Sequence, residues 1–376
     1  MFYDVAVVGA GVFGAWTAYK LRQAGASVLL LDAYGPGNSR ASSGGESRMI
    51  RMGYGPDEIY SRMAQRSLAL WQELFGERYQ LFVKTGILWL ARERDPYCEA
   101  TAATLELLGI NHEKLDRDEI ARRYPQIAPG AVTWGILEPD SGVLLARRAV
   151  QAVAAEGRGI GVEYREAAIV TPVVDGAIRT SSGDEIHADR FVVACGPWLP
   201  KLFPELLGER IYVTRQEVIF LGVPPGDVRF NVGVMPCWID FNDLVYALPN
   251  IEGRGFKIAI DAHGPEFDPD TGQRVVTSSG LDAARAYLGQ RVPSLAGAPV
   301  TETRVCQYEN TSNGDFLIDR HPGFENVWLV GGGSGHGFKH GPAVGEYVAQ
   351  MLSGAGTPEP RFSLATKERV QDRKVF

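Results

Sequence analysis

The sequence predicts an α/β fold in two parts: a parallel-sheet domain assembled from separated segments, and an inserted domain that is mainly antiparallel sheet. Three observations carry this. Residues 5–32 read as strand, glycine-rich turn, helix, strand and terminal acid. Near the other end, an apolar strand at 327–330 runs into a second glycine-rich turn at 331–337. Between them, segments 212–221, 244–248 and 256–260 read as antiparallel strands of a second sheet.

The elements follow in order. Val5 to Val8 is a short β-branched run, the pattern of a buried parallel strand. Residues 15–24 have helical periodicity and stop at Gly25, a suitable C-cap. Val28 to Leu31 forms the second buried strand, and Asp32 ends it. Residues 38–55 alternate arginines with small residues and read as an ordered functional loop. Helical spacing marks 57–76, 97–108 and 117–124, with a strand at 86–91. Residues 142–145 lead into a helix reaching about 155. Short strands at 162–164 and 168–170 precede a hairpin-type turn at 181–184 and a parallel-type strand at 189–194. Strands at 304–308, 315–318 and 327–330, then a helix at 342–352, are expected to restore the first domain. The expected division is 1–80, 142–210 and 300–376 for the parallel domain, with 81–141 and 211–299 forming the inserted one.

Composition narrows the class. A chain of 376 residues, 45% hydrophobic and 22% charged, suits a folded two-domain protein. Its 38 Lys+Arg against 45 Asp+Glu leave a net charge of −7, which argues against a nucleic-acid backbone binder. Cysteines at 98, 195, 237 and 306 make no C-x-x-C pair, and the 6 histidines make no H-E-x-x-H, so no metal site is expected. No run reaches the ~20 apolar residues of a membrane helix. The N-terminus lacks a basic start before its apolar run, so the expectation is a cytoplasmic protein with no membrane partner.

The first glycine turn, Gly9-Ala10-Gly11-Val12-Phe13-Gly14, has the context that gives a G-x-G-x-x-G motif meaning. Gly9 permits the tight turn, Gly11 lets a pyrophosphate approach the backbone, and Gly14 lets helix and strand pack closely. The helix start supplies N–H groups and a positive dipole end. Asp32 is placed to accept from ribose hydroxyls. The motif alone does not choose between NAD and FAD. A second glycine-rich surface at 331–337 favours FAD, whose ring end needs one.

Several segments resemble a known family: VAVVGAGVFG at 5–14, LLLDAYGPG at 29–37, GGESRMIRMGYG at 44–55, YALPNIEGRGFKIAIDAHG at 246–264, RVCQYENTSNGDFLIDRHP at 304–322 and GSGHGFKHGPAVGE at 333–346. In the family's order, and over nearly the whole chain, they resemble the sarcosine oxidase and N-methyltryptophan oxidase branch of the FAD-dependent amine and amino-acid oxidases. The resemblance implies a Rossmann-type FAD-binding domain of discontinuous segments and an inserted substrate domain. It implies a thioether from Cys306 to the flavin 8α-methyl carbon. Arg304, Cys306 and Tyr308 alternate on one strand and so face one way. Without the motif, Cys306 would read as a buried structural cysteine, as Cys98, Cys195 and Cys237 do.

The remaining roles also come from the resemblance. Arg51 and Lys339 match residues that hold the substrate carboxylate, and Arg48 matches one beside the flavin. Arg48 and Arg51 would share a face if 48–51 formed a helical turn. Lys257 matches a lysine that assists oxygen reduction, although by position alone it is the polar face of an amphipathic strand. Tyr246 matches a substrate-pocket tyrosine, by position an ordinary strand aromatic. Ser42 and Ser43, with Gly333, Gly335, Gly337 and Lys339, fall in the flavin-contacting loops. His336 reads as structural. Two positions depart from the pattern. Asp261 stands where sarcosine-type members often carry a histidine, with His263 two residues on, and Ser43 and Gly44 stand where some members have histidines. Asp261 either pairs with a substrate ammonium or faces solvent.

The implied activity is FAD-dependent oxidation of an N-alkylated amino acid, N-methyl or cyclic secondary, to an imine, with molecular oxygen reduced to hydrogen peroxide. The sequence is compatible with a monomer. Three alternatives stay open: a dehydrogenase using another acceptor, an NAD-dependent dehydrogenase, and a flavin-binding subunit without chemistry of its own.

Overall fold

A computed structural model describes residues 2–174 and 177–370, except that no side-chain environment is described for 170–174. Two eight-stranded sheets and a small three-stranded sheet organise it. In the first sheet, five strands lie parallel in the spatial order Glu163–Glu166, Val28–Asp32, Phe2–Val8, Glu185–Val193, Phe324–Gly331. The chain begins in the middle strand and winds out to both sides. The C-terminal ends of Phe2–Val8 and Glu185–Val193 therefore flank a switch point, the usual site of a nucleotide crevice. Val5, Ala6, Val7 and Val8 are all buried, as the unbroken apolar run requires.

Helices Val12–Gln23, Ala146–Gly159 and Gly341–Ser353 pack together on one face of this sheet. The close approach of two of them depends on Gly345. A Cβ there would lie 2.7 Å from the Trp16 backbone carbon.

The second sheet runs Val300–Thr311, Ile211–Leu221, Phe256–Ile260, Val245–Leu248, Cys237–Asp240, Ile87–Ala91, Trp134–Glu138, Glu113–Asp116. All its pairings are antiparallel except Cys237–Asp240 with Ile87–Ala91. The outer face carries its own apolar cluster, closed by helix Ser278–Arg291 through Ala284 and Leu288. The buried Arg291–Asp240 pair at 2.6 Å ties this helix to the sheet.

Two expectations are corrected. Strand Val300–Thr311 does not return to the parallel sheet. It pairs along its length with Ile211–Leu221 in the second sheet, because its alternating residues complete that sheet's edge. Residues 48–51 are not a helical turn. Arg48–Ile50 is a strand paired with Gly142–Leu144, which also pairs with Phe82–Lys84. No helix among the described residues is long and apolar enough to cross a membrane.

Candidate active site

The first turn behaves as its glycines require. Gly9 has φ +102°, and a Cβ on it would lie 2.4 Å from the Ala194 carbonyl oxygen. A Cβ on Gly14 would fall 1.8 Å from the Gly9 carbonyl oxygen, so helix and strand touch there. A Cβ on Gly11 would meet, among the described residues, only the Ser43 Oγ, at 3.4 Å, and its outer side is open to the cleft. Ser43 Oγ accepts from the Val12 N–H at 3.0 Å, steadying the helix start. Asp32 accepts from the N–H groups of Ala10 and Tyr34, each at 2.8 Å, and burial raises its pKa.

From this turn a cleft of about 330 Å³ runs past Asp32, Gly11, Ser42 and Gly333 to Cys306, Gly335 and Gly337. Its two ends match an extended dinucleotide: acceptor and helix terminus at one, glycines and a thiol at the other. Gly335, at φ +80°, lies against Tyr308, whose ring a Cβ would meet at 2.8 Å. Gly337 is pressed on Phe13 in the same way, at 2.9 Å. These residues fit FAD: a bare glycine backbone for the diphosphate, Asp32 for the ribose, and an open face at the ring end.

Cys306 is where the cleft meets a second cavity. Its Sγ lies 3.2 Å from Arg48 Nη2, which also donates to the Ser42 carbonyl at 2.8 Å. Cys98 and Cys237 are buried as expected, with burial pushing the Cys237 thiol up to about 12. Cys195 differs: it lines the cleft beside Gly196, because the strand before it ends at the switch point.

The second cavity, about 90 Å³, gathers Arg48, Arg51, Tyr246, Lys257, Asp261, Cys306 and Lys339. Met49, Val218, Ile239, Phe241 and Phe338 form its apolar wall. Arg51 is buried, donates to the Gly53 carbonyl, and stacks on Tyr54 and Trp89 with its guanidinium carbon 4.2 and 4.9 Å from the ring centres. Lys339, in the 3₁₀ turn Gly337–His340, donates to Tyr54 Oη at 2.7 Å and to the His336 carbonyl at 3.0 Å. Burial, reinforced by Arg51, holds its pKa well below that of a free lysine. Such a lysine gains its charge when an anion arrives.

Lys257 corrects the simple strand reading. It is 3% exposed rather than on a solvated face, because both faces of Phe256–Ile260 are covered. Its Nζ donates to the Ser47 carbonyl at 2.9 Å and approaches Ser47 Oγ at 3.3 Å. Burial and then Arg48 push it down to about 7. Asp261 faces the cavity, not solvent. It accepts from Tyr308 Oη at 2.6 Å, and burial raises its pKa. His336 is buried, with Nε2 3.0 Å from the Gly314 carbonyl oxygen.

Sequence reasoning missed three supports. Glu138, 1% exposed, accepts from Met52 N–H, Gly53 N–H, Trp89 Nε1 and Ser141 Oγ, and so builds the loop that presents Arg51. Tyr54 joins Lys339 to His340 Nε2, 2.7 Å away. Glu309 lines the dinucleotide cleft three residues past Cys306. No local signal marks Glu138 or Glu309. Tyr54 sits inside Gly53-Tyr54-Gly55, a pattern that by itself gives a tyrosine no role. Among the described residues, no cluster of three or more His, Cys, Asp or Glu side chains is placed to hold a metal ion.

Comparison with known proteins gives the family of the whole chain. The family model described as FAD dependent oxidoreductase matches residues 4–351. Monomeric sarcosine oxidase from Bacillus sp. (strain B-0618) is 31% identical over 388 residues, covering 99% of each chain. N-methyl-L-tryptophan oxidase from Salmonella arizonae is 30% identical, covering 93% of this chain and 95% of its own. In fold, the chain is similar to fructosyl peptide oxidase from E. terrenum, with a TM-score of 0.84 at 20% identity over 99% of this chain and 95% of the other. With its glycine turn, Asp32 and continuous cleft in place, the chain belongs to the FAD-dependent oxidoreductase family.

Proposed function

We propose that this enzyme oxidises an N-alkylated amino acid, N-methyl or cyclic secondary, to an imine and passes the electrons to molecular oxygen, giving hydrogen peroxide. The observation that carries this reading is the charge layout of the second cavity. Arg51 stands as a cation for a carboxylate with Lys339 beside it ready to take up a proton, and Asp261 is the carboxylate available to the amine, all in the cavity that Cys306 lines. The sequence similarity to N-methyl amino-acid oxidases supports the same substrate class.

When bound, FAD supplies the hydride acceptor and the route to oxygen. The chain does the rest. Arg51 grips the substrate carboxylate, and Lys339 acquires its proton as that anion docks. Asp261, oriented by Tyr308, meets the amine. Tyr246 and the apolar wall exclude water. Arg48 fixes the position of Cys306 Sγ, the sulfur that would tether the cofactor. Lys257 presents positive charge where oxygen is reduced.

The test is an anaerobic screen of N-methyl, cyclic and primary amino acids, reading loss of the visible flavin band. Secondary amino acids should bleach it, and rapid reoxidation on adding oxygen should follow. Reduction without reoxidation would assign a different acceptor, and no reduction by any member would remove the substrate class. Acid-denatured protein should keep its flavin on the polypeptide, and Cys306→Ala should release it.

A further inference from the structure

Glu309 is a buried carboxylate with one oxygen that makes no hydrogen bond to the described residues. It lies on strand Val300–Thr311, on the face opposite Cys306 and Tyr308, and is 9% exposed. Its Oε1 accepts from the Gly333 N–H at 3.3 Å, and its backbone carbonyl accepts from Ser334 N–H at 3.1 Å. Oε2 is buried and, among the described residues, has no partner in hydrogen-bonding geometry, although the Gly332 N–H also acts on this carboxylate. Such an orphan acceptor is costly unless a ligand supplies a donor.

The wall around it is thinned by glycines. A Cβ on Gly196 or Gly331 would stand 3.5 or 3.4 Å from Oε2, and one on Gly333 3.3 Å from Oε1. The carboxylate therefore sits among bare backbone at the ends of strands Glu185–Val193 and Phe324–Gly331, in the lining of the cofactor cleft.

Its position along the cleft selects the ligand chemistry. Gly11 and Asp32 mark the diphosphate and ribose end, and Cys306 and Arg48 mark the ring end. Glu309 follows Cys306 by three residues, a rise of about 10 Å along an extended strand. The part of FAD between ring and diphosphate is a polyol chain. Diphosphate oxygens only accept and would repel a carboxylate, whereas polyol hydroxyls donate.

We propose that Glu309 is the residue that holds the cofactor's polyol chain, with Oε2 accepting a hydrogen from one of its hydroxyls. Burial pushes the carboxyl up to about 7, and a hydroxyl donor would favour the ionised form.

The experiment is a protein–ligand double cycle in a Cys306→Ser background, where the cofactor exchanges reversibly. Dissociation constants are measured by flavin fluorescence for FAD and for FAD analogues lacking single polyol hydroxyls, with Glu309 present and with Glu309→Leu. One hydroxyl deletion should weaken binding to the Glu309 protein about ten- to a hundredfold and cost less than about threefold in the variant. An equal penalty in both proteins overturns the proposal, as does unchanged FAD affinity in the variant. Glu309→Gln, which can keep the Gly333 bond, runs the same cycle if Glu309→Leu fails to fold. A lowered melting temperature with unchanged hydroxyl discrimination would make Glu309 a purely structural residue and also overturn the assignment.

Discussion

Arg48 and Lys257 hang from one backbone carbonyl: Arg48 Nη1 and Lys257 Nζ each donate to Ser47 O at 2.9 Å. Two cations sharing one neutral acceptor are incompletely compensated. After burial itself, Arg48 depresses the tendency of Lys257 to be charged, and any anion that forms between them gains from both. Because Ser47, just before the strand Arg48–Ile50, accepts from both groups, the two cations at the ring end are coupled through it.

Lys257 should give the oxygen reaction a pH dependence. Its pKa lies at about 7, pushed down by burial and Arg48, so the ammonium prevails below that value and the neutral amine above it. The rate of reoxidation by oxygen should fall as pH rises through 7, and Lys257→Met should be slower by roughly a hundredfold and insensitive to pH. Stopped-flow reoxidation between pH 6 and pH 9 reads both. The same shift bears on stability: between 10.5 and about 7 the unfolded lysine binds a proton that the folded one does not, so its contribution is lost as pH falls through that window.

Arg51→Met should weaken substrate binding about ten- to a hundredfold, the worth of a charge-assisted hydrogen bond, with a smaller effect on the limiting rate of flavin reduction. Anaerobic titration and stopped-flow separate the two. An unchanged dissociation constant would take Arg51 out of carboxylate docking.

Gly11→Ala and Gly14→Ala should fail differently. A Cβ at 14 lies 1.8 Å from the Gly9 carbonyl oxygen, so Gly14→Ala should lower yield and melting temperature of the protein itself. A Cβ at 11 meets only Ser43 Oγ at 3.4 Å, so Gly11→Ala should fold but carry less flavin. Thermal unfolding with the flavin-to-protein ratio distinguishes them.

Glu138→Ala should destabilise the fold by about 3 kcal/mol or more, since it strands buried donors from Met52, Gly53, Trp89 and Ser141. Chemical denaturation gives the figure. Substrate affinity should fall as well, because the loop it organises carries Arg51.

What the sequence determined by itself is the local part. The turn from Gly9 to Gly14, its flanking strands and Asp32 lie within one short stretch, where glycine conformation and β-branched runs speak directly. The resemblance named most residues of the second cavity, but their meeting is long-range. Arg48 reaches Cys306 across 258 residues, and Lys339 reaches Tyr54 across 285. Tertiary structure alone decided that Lys257 is buried, that Asp261 turns to Tyr308, that Val300–Thr311 joins the second sheet, that Glu138 gathers four donors and that Glu309 lines the cleft. A strand's alternation says which residues share a face. Only the sheet's partners decide whether that face meets water, a cofactor or another charge.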